Sequence, residues 1–162
     1  MPTGLQRILG IDPGFGRMGF SVIEGKKDTW SVLTYGCIDT PPDASMPARL
    51  VQIADKLNEL IEIHKPNCCA LEKLFFAKNV TTAMSVGQAR GVVLLTAGQH
   101  KLEVREVTPL QVKQSITGYG RADKKQVQRM IALLLHLPSS NIQDDAADAL
   151  AIALTASGIQ CA

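Results

Sequence analysis

What the chain lacks narrows its nature first. No apolar run approaches a membrane span, and the run from Ile8 to Ile11, after Met1-Pro2-Thr3-Gly4-Leu5-Gln6-Arg7, is too short for a secretory core. The expectation is a cytoplasmic protein with no membrane association. The four cysteines, Cys37, Cys68, Cys69 and Cys161, have no zinc-like spacing, and a disulfide framework is not expected. Cys68 and Cys69 are neighbours in an apolar segment, so on a strand they point to opposite faces, as buried reduced thiols. Repeats, low-complexity tracts and linker-like stretches are also missing. The 162 residues are therefore expected to form one domain, 1–162, with a sizeable core. Neither sign of charge is in large excess: 17 Lys+Arg stand against 15 Asp+Glu, a net +2 that by itself says little about nucleic acid.

What is present is uneven. Lys101, Arg105, Lys113, Arg121, Lys124, Lys125 and Arg129 crowd one stretch against Glu103, Glu106 and Asp123. Beyond it the chain has Asp144, Asp145 and Asp148 and no lysine or arginine. A basic stretch beside an acidic cluster suits a protein that attracts phosphates while holding metal ions separately, although any single lysine here also reads as a solvated helix face.

Residues 7–12, 18–24 and 30–38 read as strands joined by turn chemistry at Asp12-Pro13-Gly14 and Gly25-Lys26-Lys27-Asp28, an antiparallel meander. A proline-bearing loop follows. Leu50, Ile53, Leu57, Leu60 and Ile61 then recur at helical spacing up to His64, where Lys65-Pro66 ends the helix. Residues 67–72 read as a buried strand and 79–99 as a helix with small residues at Ala83, Gly87, Ala89, Gly91, Ala97 and Gly98, suited to close approach by the sheet or a partner subunit. A fifth strand is expected at 102–107. Thr108-Pro109 starts a further helix, and Val127, Met130, Ile131, Leu134 and Leu135 form the apolar face of the next. A last helix runs from about 143 to 157, with Gly158 as its stop. The fold class is thus α/β: a five-stranded mixed sheet, three strands antiparallel and two parallel, flanked by helices, in the order of a ribonuclease H-like fold.

Three acidic features carry chemistry. Asp12 ends a buried strand ahead of a tight turn, although aspartate before Pro-Gly more often bonds its own backbone. Glu72 closes the apolar run Cys68-Cys69-Ala70-Leu71, and a carboxylate there is costly unless it is paired or bound to a cation. If its strand lies parallel to the first, Asp12 and Glu72 become neighbours. In Asp144-Asp145-Ala146-Ala147-Asp148 both 145/148 and 144/148 can share a helix face, and spacing does not choose between them. Acids in a first helical turn also simply complement the helix dipole, but Asp148 sits within an alanine-leucine run that should pack on the sheet. Hard magnesium ions prefer such oxygen ligands, and two ions about 4 Å apart suit an in-line displacement at phosphorus.

The segments Ile8-Leu-Gly-Ile-Asp-Pro-Gly14, Leu71-Glu-Lys-Leu-Phe-Phe-Ala-Lys-Asn79, Gly87-Gln-Ala-Arg-Gly91, Gln111-Val-Lys-Gln114 and Asp145-Ala-Ala-Asp-Ala-Leu-Ala151 resemble, in order, the RuvC family of Holliday junction resolvases. The resemblance implies that Asp12, Glu72, Asp145 and Asp148 are both catalytic and metal-holding, which selects 145 over 144. It implies two Mg2+ ions per site, with Mn2+ able to substitute. It further implies a homodimer making paired nicks in two strands of like polarity at a four-way DNA junction, alongside a branch-migration motor complex. Phe75 matches an aromatic that reaches into the junction centre, and Lys113 and Lys124 match basic residues near the DNA backbone. Other readings are a nuclease of the same fold acting on RNA, an actin-like or sugar-kinase-like ATPase, which needs two such domains where 162 residues are too few, and a non-cutting module for branched DNA.

Overall fold

The computed structural model describes residues 4–73, 80–138 and 141–159. Strands β1 (Gln6–Asp12), β2 (Arg17–Lys26) and β3 (Thr29–Asp39) are followed by helix α1 (Met46–His64), then β4 (Cys68–Glu72), α2 (Val80–Gln99) and β5 (Glu103–Val107). Three helices complete the chain: α3 (Pro109–Thr117), α4 (Lys124–Leu134) and α5 (Asp144–Ser157). The five strands lie in the order β3-β2-β1-β4-β5. The first three are antiparallel neighbours, and β4 and β5 run parallel to β1, as the crossovers require.

Alternation along the strands divides the core into two layers. Ile8, Ile23, Cys68, Ala70 and Val107 face one side, where Ile116, Val127, Ile131, Leu150 and Ile152 cover them from α3, α4 and α5. Leu9, Ile11, Val22, Cys69 and Leu71 face the other, beneath Ile53, Leu57, Leu60 and Ile61 of α1 and Ala89, Val93 and Ala97 of α2. The adjacent side chains of Cys68 and Cys69 therefore enter opposite layers, both buried and neither in a disulfide. Among the described residues no helix is long and apolar enough to cross a membrane.

Helix α5 lies directly on the sheet. A Cβ at Gly10 of β1 would meet the Ala149 carbonyl oxygen at 2.3 Å, and one at Gly19 of β2 would meet that of Asp145 at 1.9 Å. Opposite Gly10 on β2, Ser21 donates its hydroxyl to the Ala149 carbonyl at 2.9 Å. On the helix, alanines 146, 147, 149, 151, 153 and 156 are all buried, so nothing bulky holds the two backbones apart. Leu150 and Ile152 fill the space beside them, each contributing roughly 2 kcal/mol by burial.

The helix ends depart in places from the sequence reading. Helix α1 begins earlier, because Ser45 caps it by accepting from the Ala48 N–H and Pro47 sits in its first turn. Thr108 and Asp123 each close reciprocal capping boxes, with Gln111 and Gln126, that start α3 and α4. Of the two leucines expected to end the apolar face of α4, Leu134 is exposed, whereas Leu135, the residue after the helix, is buried as expected.

Candidate active site

Strand register brings two of the four acids together. Ile11 pairs with Leu71 across the parallel β1 and β4, so Asp12 and Glu72 both follow the last paired positions at the carboxyl ends of their strands. With a period of two, Asp12 shares a face with Ile8 and Gly10, and Glu72 with Cys68 and Ala70, which is the face α5 covers. Asp12 also stands opposite Gly19 on β2, the glycine whose missing side chain admits the Asp145 backbone. The close seating of α5 thereby delivers its first turns to the strand ends. Carboxylate oxygens of Asp12, Asp145 and Asp148 lie within 4.8 Å of one another. Glu72 stands outside that closest trio but lines, with Asp12 and Asp148, a pocket of about 260 Å3 that also receives Lys113, Asp123 and Lys124.

The electrostatics follow from this crowding. Burial, then the charges of Asp148, Asp145 and Glu72, push the Asp12 carboxyl up to about 8. Glu72 is raised by burial and by Asp148. Asp148 is raised by burial, against the pull of Lys124. Asp144 differs: exposed, it accepts from Gln128 Nε2 at 2.9 Å and is held below its ordinary value by that bond and by Lys124. Lys124 Nζ lies 3.5 Å from Asp144 and 3.4 Å from Asp148. Partial burial disfavours its charge, but Asp148 and Asp144 outweigh that and raise its pKa.

Lys113 thus faces the pocket from α3, while Lys124 spans its rim from α4 to α5. Phe75 lies outside the described residues. One supporting residue had no role in the sequence reading. Arg90 of α2, largely buried, donates Nη1 to the Glu72 carbonyl at 3.0 Å and pairs through Nη2 with Glu106, bracing the end of β4. Its only signal in the sequence was its place inside the Gly87–Gly91 segment.

The donor set suits a divalent cation. It consists of hard carboxylate oxygens, more negative charge than Lys124 offsets, and an Asp12 carboxyl that in this cluster stays protonated near neutrality for want of a counter-charge. Asp12, Asp145 and Asp148 are close enough together to grip such an ion, and Glu72 lines the same pocket.

A family model described as crossover junction endodeoxyribonuclease RuvC matches residues 8–156. The crossover junction endodeoxyribonuclease RuvC of Petrotoga mobilis is 51% identical over 146 residues, covering 90% of each chain. That of Thermomicrobium roseum is also 51% identical, over 148 residues, covering 91% of this chain and 90% of its own. Among solved structures, T. thermophilus RuvC in complex with Holliday junction substrate superposes with a TM-score of 0.88 at 33% identity, covering 93% of this chain and 92% of that one.

Proposed function

Because this chain belongs to the RuvC family of crossover junction endodeoxyribonucleases, we propose that Asp12, Glu72, Asp145 and Asp148 carry out its phosphodiester hydrolysis at Holliday junctions with magnesium. The observation that carries this reading is the convergence of three aspartates from β1 and α5 within 4.8 Å, beside Glu72 and two lysines. Two magnesium ions are the proposed complement, with manganese able to replace them. Bound there, the metal would polarise the phosphate and supply a reactive water at neutral pH.

The chain's own groups do the rest. Asp12, Asp145 and Asp148 fix the cation against the strand ends, while the Arg90 guanidinium holds the backbone behind Glu72. Lys113 and Lys124 line the same pocket and attract the DNA strand, their positive charge facing the phosphate. The buried alanine face of α5 keeps the acids from drifting as a strand docks.

A nicking assay on a synthetic mobile four-way junction tests the reading. Paired nicks in strands of like polarity, present with magnesium or manganese and absent with chelator, are the expected result. An uncut junction together with efficient cutting of an RNA–DNA hybrid would instead assign the same fold to RNA.

The proposed assembly is a homodimer, since two coordinated cuts in a two-fold substrate call for two sites. The outward face of α2 supports it. Val80, Met84 and Leu95 are exposed there, and a Cβ at Gly91 or Gly98 would meet nothing within 4 Å. By sequence, the small residues of this helix suit either the sheet or a partner. The structure divides them: Ala89 and Ala97 face the sheet, Gly91 and Gly98 face outward. Sedimentation is expected to give about twice the 17.4 kDa chain mass at micromolar concentration, with Leu95→Glu shifting it to monomer. A wild-type monomer would refute the interface. The remaining proposed partner is a branch-migration motor, with the complex working on DNA in the cytoplasm.

A further inference from the structure

The turn that follows Asp12, Pro13-Gly14-Phe15-Gly16, is fastened from the α1 side of the sheet. Thr40 donates its hydroxyl to the Phe15 carbonyl at 2.5 Å and its N–H to the Gly16 carbonyl at 3.0 Å. Arg49, near the start of α1, donates Nε to the Thr40 hydroxyl oxygen at 2.9 Å, and its guanidinium lies 4.6 Å over the centroid of the Phe15 ring.

Arg49 is only 9% exposed. A cation at that depth is ordinarily matched by a carboxylate. Among the described residues Arg49 has none: Arg7, Arg17, Arg90 and Arg105 each pair with an acid, and Asp39, at the end of β3, is taken by Arg17. With Nε committed to Thr40, the two terminal nitrogens remain. No described residue accepts from them, and neither is sealed from solvent. Nη2 lies over Gly16, where a Cβ would come within 3.3 Å, so the glycine leaves the guanidinium its room. A rigid fork with both end groups unengaged is the donor geometry that phosphate oxygens fit.

We propose that Arg49 and the 13–16 turn form a second phosphate site, which takes a backbone phosphodiester of the strand being cut. It lies on the α1 side of Asp12, whereas Lys113 and Lys124 approach from the side of α3, α4 and α5, so the strand is gripped on both sides of the scissile position. Phe15 and Thr40 hold the fork in place before DNA arrives, which spares ordering cost on binding. This site rests on the reading of the chain as a junction endonuclease.

Junction binding by the full chain, followed by anisotropy without magnesium across a salt series, tests the proposal. Each neutralised phosphate contributes about 0.9 to the slope of log affinity against log salt. Arg49→Gln is expected to lower that slope by about 0.9 per protomer and to weaken binding roughly tenfold at about 0.1 M salt. Arg49→Lys keeps the charge but not the fork, so the slope should hold while affinity drops about threefold. A folded Arg49→Gln whose slope equals the wild type's would leave Arg49 as a clamp on the turn only, and the proposal would be overturned even if it melts earlier. If Arg49→Gln does not fold, the lysine variant decides, and wild-type affinity in it overturns the site. Wild-type protein that neither binds nor cuts junctions removes the underlying reading and this site with it, whereas wild-type cutting with an unchanged Arg49→Gln slope removes this site alone.

Discussion

Asp12→Asn is expected to abolish magnesium-dependent cutting, by at least about a thousandfold, while making the metal-free protein more stable above neutral pH. Loss of cutting is expected because Asp12 is the one member of the trio supplied by the sheet. The stability gain follows from where its proton sits. An unfolded aspartate titrates near 3.8, whereas in the fold burial and the neighbouring acids push Asp12 up to about 8. The fold therefore favours the neutral acid. Below about pH 4 the group costs nothing, and the fold loses stability steadily as pH rises towards 8 and ionisation is forced upon it. An amide cannot ionise, yet it can donate to Asp145 as the protonated acid does. In chelator at pH 8 the variant should exceed the wild type by at least about 2 kcal/mol, or a melting point at least about 5 °C higher, with the gap narrowing as pH falls and nearly closed below about pH 4. Magnesium should raise the wild-type melting point more than the variant's. Equal melting points at pH 8 would mean that the acids do not repel one another in the folded chain.

Gly19→Ala should damage both fold and chemistry. The new methyl would lie 1.9 Å from the Asp145 carbonyl oxygen and 2.4 Å from its carbonyl carbon, both backbone atoms that no rotamer change can move aside. Helix α5 must lift at its first turn, which costs about 3 kcal/mol by the usual measure of overpacking. That turn carries Asp145, and Asp148 follows one turn on, so the acids move away from Asp12. A displacement near 1 Å is enough to slow catalysis about a hundredfold. Cutting should be measured at a temperature where circular dichroism shows the variant folded. Full activity in folded Gly19→Ala would show that α5 is not seated through this glycine.

The same contacts explain what could be read in advance from the residues. The strands announced themselves through alternation and turn chemistry, and the order of elements required two parallel crossovers. Asp12 and Glu72 were legible because both close apolar runs whose pairing follows from that order. Spacing within Asp144–Asp148 was silent on which acid faces the strand ends, since the phase of α5 is set by Gly10, Gly19 and Ser21, more than a hundred residues away. The family resemblance chose Asp145; the packing supplies a physical reason. Lys124 gave no hint of pairing with Asp144 and Asp148, because that depends on how α4 leans on α5. Nor did α1 betray its true start, for Ser45 and Pro47 lie ahead of the apolar stripe. Arg49 and Arg90 escaped for a similar reason: an arginine on a helix looks solvated until its partners across the sheet are known.

The order in which the chain supplies its acids has a consequence for its synthesis. Asp12 and Glu72 belong to the first half of the polypeptide, while Asp145 and Asp148 arrive with α5, the last helix described. A ribosome-bound chain can complete its sheet with only half of the carboxylates present. On the proposed assignment the enzyme is born unarmed: a nascent fragment ending before α5 is expected to leave DNA uncut, with competence to cut arriving only when the closing helix settles onto β1 and β2.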